Sequence, residues 1–320
     1  MMPWLMVGLG LVMLLLAGDA LVKGAVNLAL RVGIPALIVS LTIVAFGTSA
    51  PELLISVNAV LVDKPALALG NVVGSNTANV LLVLGVPAII AVMHTSRCDC
   101  TRSYLQMLGA SGLFIALAFR GSFDWIAGLV LLAALALMLG DAFRNARAHR
   151  REAAAAALLE EDDTEVEGAD PDMPWWQIVG FLVLGLVGLP LGADILVDNA
   201  SILALRYGVS EAAIGLTLVA LGTSLPELAT TVMAAIRQQA DVALGNVIGS
   251  NMFNLLFIIG TTALVGAVPV DAEFLRFDLW VMLAASLLLV PFVLLRRDLG
   301  RIAGLVLTAG YVAYVTLVLT

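Results

Sequence analysis

Residues 41–53 read LTIVAFGTSAPEL and residues 216–228 read LTLVALGTSLPEL, while residues 70–79 read GNVVGSNTAN and residues 245–254 read GNVIGSNMFN. One offset of 175 positions relates both pairs, with ten of thirteen and seven of ten residues identical. The chain is therefore an internal duplication. Each copy places a glutamate, Glu52 or Glu227, inside an apolar run, and an asparagine, Asn79 or Asn254, follows 27 residues later. Ionisable side chains at membrane depth are costly and mark ion or substrate pathways by default.

The apolar runs are membrane spans because the whole chain is built that way: 61% of its 320 residues are hydrophobic, 12% are charged, and the mean hydropathy is +1.05. Segments near 3–30, 34–62, 66–93, 103–119, 124–142, 175–205, 209–236, 242–269, 275–295 and 302–319 can each cross a bilayer as a helix, which takes roughly 20 apolar residues. They are too long for barrel strands and lack a period of two. Ten spans make five per copy, and five is odd. The second copy must then enter from the opposite side, so the expected fold is an all-α membrane protein of ten transmembrane helices in two inverted-topology five-helix repeats.

Basic residues set the orientation. Arg31, Arg97, Arg102, Arg144, Arg147, Arg150, Arg151, Arg237, Arg296, Arg297 and Arg301 follow odd-numbered spans, whereas Lys64, Arg120, Arg206 and Arg276 follow even-numbered ones. The richer side faces the cytoplasm, which leaves both termini outside. No charged leader precedes the first apolar run, and Asp19, Arg31 and Gly33 recur as Asp194, Arg206 and Gly208, so that run is read as a retained span. The organisation expected is a first repeat over 1–142, a cytoplasmic linker over 143–174 and a second repeat over 175–320. Nothing in this pattern suits a nucleic acid; the surrounding medium is the lipid bilayer.

Eight acids from Glu160 to Asp172 crowd the linker and account for the net charge of −8. They sit where too few apolar residues exist to fold a unit, so part of the linker is expected to be disordered. An EF-hand reading fails because Pro174 falls where the twelfth-position glutamate belongs. Cys98 and Cys100, in a loop near His94, are read as ordinary thiols rather than a soft-metal site, since structural sites usually supply four ligands.

Pro51 and Pro226 cannot donate to the carbonyls of Gly47 and Gly222, so each should kink its helix just before the glutamate. Thr48 shares a helix face with Glu52, and Thr223 with Glu227. Asn71, Ser75 and Asn79 form a polar stripe with a four-residue step, matched by Asn246, Ser250 and Asn254. Two such stripes and two glutamates meeting near mid-membrane would form a cage of oxygen atoms. Oxygen ligands select hard cations; calcium takes six to eight of them, and several sodium ions would serve the charges equally well. Asp19 has Lys23 one turn away and is read as structural or cavity-lining, with Asp194 in the same class.

The paired G-T-S-x-P-E and G-N-V-x-G-S-N-x-x-N motifs resemble the repeats of the calcium/cation antiporter superfamily, in particular prokaryotic sodium/calcium exchangers. That resemblance implies electrogenic exchange of sodium for calcium by alternating access, in the prokaryotic inner membrane, with the first and sixth spans sliding past the rest. It implies Ca2+ and Na+ as transported ions and no cofactor. By position it makes Glu52 and Glu227 shared ligands, and gives main-chain oxygens to Thr48, Thr223, Ala45 and Ala220. Hydroxyls would come from Ser49, Ser75, Ser224 and Ser250, with Asn79 and Asn254 completing the centre. Asn254 stands where several relatives carry aspartate, which argues against potassium dependence. The rival within the same fold is a proton-coupled calcium antiporter. A passive channel would need no counter-ion, and an intramembrane protease is disfavoured because its G-x-G-D, H-E-x-x-H and G-x-S-x-G signatures are absent.

Overall fold

The computed structural model describes residues 2–156, 170, 172–208 and 220–319. The acidic stretch of the linker and the first part of the expected seventh span lie outside the described residues. Eleven helices make up the described chain: α1 (Met2–Val32), α2 (Ala36–Thr48), α3 (Ala50–Leu61), α4 (Pro65–Ile90), α5 (Thr101–Ala118), α6 (Trp125–Ala156), α7 (Trp175–Arg206), α8 (Leu225–Ile236), α9 (Ala240–Val265), α10 (Phe274–Val293) and α11 (Arg301–Leu319).

Seven of these are long and apolar enough to cross a membrane, and the bent pair α2–α3 makes eight. The remaining two of the ten expected spans are α5, whose first turns carry Arg102, Ser103 and Gln106, and α8, a twelve-residue apolar helix preceded by the undescribed segment. The chain is an all-helical membrane protein.

Local sequence explains where the helices stop. Gly33 and Gly208, one repeat apart, adopt left-handed φ of 72° and 82°. A residue with a Cβ pays a steric penalty there, so glycine ends α1 and α7 cleanly. Gly33 and Ile34 both donate to the Ala29 carbonyl, the closing bonds of a helix end. Between α2 and α3 the axis bends by 43° at Ser49, two residues before Pro51, as the missing proline donor requires.

α4 and α9 occupy the centre: 72% and 94% of their apolar windows are buried, against 11% for α11 at the periphery. α1 and α7 pack along each other through small residues. A Cβ added to Gly185 would sit 2.5 Å from the Leu21 Cβ and 3.0 Å from the Ala17 carbonyl, and one added to Gly10 would sit 2.9 Å from the Gly192 carbonyl. Such near-backbone contact is how helices associate when lipid supplies no hydrophobic drive. Apolar side chains on the outer faces, among them Leu16, Leu184, Leu305 and Val306, are more than half exposed and form the lipid-facing shell.

Short extended pairings tie loops of the two halves. Met93 and Leu299 exchange both backbone bonds at 3.0 Å, and Ser122–Phe123 pairs antiparallel with Val268–Pro269. Beside the first pairing, Asp298 accepts from the Ser96 amide at 3.1 Å and lies 2.8 Å from the His94 ring. The Ser96 side chain and then His94 hold its carboxyl down at about 2. His94 is thereby committed to Asp298. Cys98 and Cys100 are buried and free, and the hydrogen bond between them pushes the Cys98 thiol up.

Two outcomes follow. Gly185→Leu should lower the melting temperature in detergent by several degrees, equivalent to roughly 1–3 kcal/mol of overpacking, whereas Gly8→Leu, with nothing within 4 Å of its added Cβ, should not. Asp298 titrates below an ordinary carboxylate, so its stabilisation is present above about pH 4 and is lost as pH falls toward about 2. The protection factors of the Met93 and Leu299 amides, taken against the intrinsic exchange rate at each pH, should fall over that window, and Asp298→Asn should remove the dependence.

Candidate functional site

α3 and α8 each have a proline as their second residue, Pro51 and Pro226, and carry a glutamate in the first turn, Glu52 and Glu227. A helix N-terminus favours negative charge by up to about 2 kcal/mol. That is less than the several kcal/mol it takes to bury a carboxylate. Both side chains are 1% exposed, and they are close enough to feel each other's charge. Neither forms an ion pair among the described residues. One oxygen of each, Glu52 Oε2 and Glu227 Oε2, is buried with no hydrogen-bond partner among the described residues.

Each half contributes to the other's carboxylate. Ser49 Oγ donates to Glu227 Oε1 at 3.4 Å, and the hydroxyls of Thr48 and Ser250 also face Glu227. Thr223 reaches Glu52. Thr48 lies 3.5 Å from Ser250 and donates to Asn246 Oδ1 at 3.4 Å. The Ala45 carbonyl accepts from Thr48 Oγ1 at 3.3 Å and from the Ser49 amide at 3.0 Å, so in this state it is already engaged. Ala220 opens a single helical turn, Ala220–Gly222. Ser75 is buried, and Ser224 Oγ is buried without a partner among the described residues.

Asn79 starts one turn of π-helix, Asn79–Val83, and Asn254 is the second residue of another, Phe253–Ile258. A π turn rotates side chains away from the regular helical register, and such turns recur at functional sites. Asn79 Nδ2 donates to Asn251 Oδ1 at 3.0 Å, which leaves Asn79 Oδ1 buried and unpartnered; Asn254 has neither polar atom partnered among the described residues. Amide and carboxylate oxygens lacking partners in a dry interior are what a bare cation would satisfy.

A scaffold of side chains that the sequence reading did not assign to the site holds these groups. Asn71 Nδ2 donates to the Glu52 carbonyl at 3.2 Å and to Ser56 at 3.0 Å; Asn246 Nδ2 donates to the Glu227 carbonyl at 3.4 Å and to Thr231 at 3.2 Å. Asn76 donates to the Asn251 carbonyl at 3.3 Å and to Met282 Sδ, and Asn251 donates to the Asn76 carbonyl at 3.4 Å and to Met107 Sδ, both sulfurs at 3.8 Å. Every one of these contacts recurs at the offset of 175. The four-residue polar stripe was the signal that marked Asn71 and Asn246. Only the fold pairs them with Ser56 and Thr231.

Among the described residues no group of three or more His, Cys, Asp or Glu side chains is arranged to hold a metal. A cation here would rest on two carboxylates plus hydroxyl, amide and carbonyl oxygens, a hard-ion set. Asp19 and Asp194 stand outside this cluster. Asp19 takes Arg237 Nε at 2.5 Å in addition to the anticipated Lys23 at 3.7 Å, and Asp194 is exposed on α7.

The chain is similar to known proteins over nearly its whole length. A family model described as sodium/calcium exchanger protein matches residues 2–141 and 177–320. The putative antiporter CaxA of Alkalimonas amylolytica is 35% identical over 317 residues, covering 95% of each chain. The sodium/calcium exchanger MaX1 of Methanosarcina acetivorans is 33% identical, covering 96% of this chain and 95% of that one. A solved structure of the sodium-calcium exchanger NCX_Mj, soaked with 2.5 mM Na+ and 0.1 mM Ca2+, superposes with a TM-score of 0.83 at 29% identity, over 99% of this chain and 98% of that one.

Replacing Asn251 with leucine strands the Asn79 amide and the Asn76 carbonyl. The variant should lose about 2 kcal/mol, read as a lower melting temperature in detergent, and Asn76→Leu should do likewise.

Proposed function

The chain belongs to the sodium/calcium exchanger protein family, and from that premise we propose that it exchanges sodium for calcium across the membrane by alternating access, moving net charge in each cycle. A member of this family is a transporter rather than an enzyme; Ca2+ and Na+ are its cargo, and no cofactor takes part. The carrying observation is the pair of buried carboxylates, each with an oxygen that has no hydrogen-bond partner and with no ion pair among the described residues. Empty and ionised, such a pair is unstable. Loaded with one divalent ion or with sodium ions, it is neutralised, which is the condition for crossing only when occupied.

The proposed ligand set is Glu52 and Glu227, shared by both ions, with Thr48, Thr223, Ala45 and Ala220 offering main-chain oxygens. Ser49, Ser75, Ser224 and Ser250 supply hydroxyls, and Asn79 and Asn254 complete the centre. Hydroxyls facing Glu227 from Thr48, Ser49 and Ser250 favour sodium over a protonation-only mechanism. The inverted ten-span plan is supported by the contacts that repeat reciprocally between the halves. The asymmetry of basic residues supports cytoplasmic placement of the 143–174 linker, an inner-membrane location and both termini outside.

Voltage decides what coupling must achieve. Expelling Ca2+ against 100 mV costs roughly 4.6 kcal/mol of charge movement; two entering sodium ions cancel it and a third adds about 2.3 kcal/mol of drive.

In proteoliposomes, calcium uptake should follow a sodium gradient at clamped pH and without potassium; uptake that tracks only the pH gradient would establish the proton-coupled alternative. Glu52→Gln and Glu227→Gln should each abolish exchange while the protein elutes as a folded species, and full transport in either would place the ion path elsewhere.

A further inference from the structure

The two halves repeat the contacts of Asn71, Asn76, Asn246 and Asn251 at the centre, but their flanks differ. On one flank α1 lies along α8: a Cβ added to Gly18 would fall 3.0 Å from the Ala229 carbonyl and 3.3 Å from Met233. At the repeat-related flank α7 has no comparable contact with α3 among the described residues. Exposure shows the difference. Ala229 on α8 is 7% exposed, whereas Leu54, its counterpart on α3, is 72% exposed.

At the closed flank Asp19 of α1 accepts from Arg237 Nε, just beyond the end of α8, at 2.5 Å, with Lys23 at 3.7 Å. Asp19 and Arg237 are 24% and 20% exposed, shielded enough for a charge-assisted hydrogen bond to matter. The repeat does not reproduce this pair. The position matching Arg237 is Val62, the one matching Lys23 is Asp198, and Asp194 forms no ion pair among the described residues.

We propose that the Asp19–Arg237 pair is a one-sided latch that holds α1 against α8 and closes that approach to the carboxylates. The latch rests on the exchanger reading, in which the site opens to each side in turn, and it gives Asp19 a role that Asp194 does not share. One ion pair then adds to the stability of one gate and not the other, and the α1–α8 gate is the one that rests closed.

The test uses full-length protein with Cys98 and Cys100 replaced by alanine and a reporter, Met233→Cys, at the α1–α8 contact. Met233 is half-buried against α1, so a membrane-impermeant maleimide labels the reporter faster when the two helices part. Asp19→Asn and Arg237→Gln should each label about tenfold faster than the parent, the equivalent of one charged hydrogen bond. The double variant should be no faster than either single, because both remove the same interaction. Parental rates in the singles, or singles whose effects multiply in the double, would overturn the latch. If Arg237→Gln fails to fold, Arg237→Lys, with its charge kept but its reach shortened, must label at least twofold faster or the proposal falls. Labelling needs no transport, so absence of sodium-driven calcium flux would sink the exchanger reading separately.

Discussion

Two carboxylates buried side by side, with no basic side chain among the described residues to neutralise them, set the terms for the rest of the molecule. Desolvation and mutual repulsion both oppose the charged pair, and the helix N-termini at which Glu52 and Glu227 sit offset only part of that cost. The surrounding architecture reads as the response. Hydroxyls from the opposite half face Glu227, amides hold the main chain beside each glutamate, and the sulfurs of Met107 and Met282 accept the spare amide protons of the central asparagines. Apart from the Asn254 amide nitrogen, what is left unsatisfied there among the described residues is oxygen, and oxygen without a proton donor is a request for a cation.

Bonding and packing divide along the same lines. α4 and α9 are fastened by side-chain amide hydrogen bonds that cross between the halves, and nearly all of α9 is buried. α1 and α7 meet where glycines of one helix lie under leucines of the other, Gly185 against Leu21 and Gly24 against Leu182. Contacts of that kind bring two helices together by shape. Directional bonds hold the centre, and close packing holds the pair that flanks it.

Much of this was legible in the chain. A constant offset, a glutamate in each copy and a proline before it gave the duplication, the helix break at Ser49 and the burial of both carboxylates. The four-residue polar stripe predicted Asn71 and Asn246 on the inner faces of α4 and α9. Partner choice was not legible, because it depends on which helices become neighbours: Arg237 was read only as a loop cation, yet it bonds to Asp19, 218 residues away. His94 was noted only as a neighbour of two ordinary thiols, and nothing local in the sequence pointed to Asp298, which the loop near Leu299 brings to it. The π turns at Asn79 and Asn254 left no mark in composition, since one extra residue in a helical turn alters no pattern of apolar spacing.

The reciprocity of the central contacts carries a consequence for ancestry. Asn76 gives to the Asn251 carbonyl what Asn251 gives to the Asn76 carbonyl, and each reaches a methionine at the matching place. A surface that satisfies itself in this way is self-complementary, like the face of a two-fold homodimer. A half-length progenitor could have closed the same knot with a second copy of itself inserted the other way up, and fusion would have preserved the seam while freeing each half to diverge. The exchange of valine for arginine between positions 62 and 237 is one such divergence, available only once the two genes had become one.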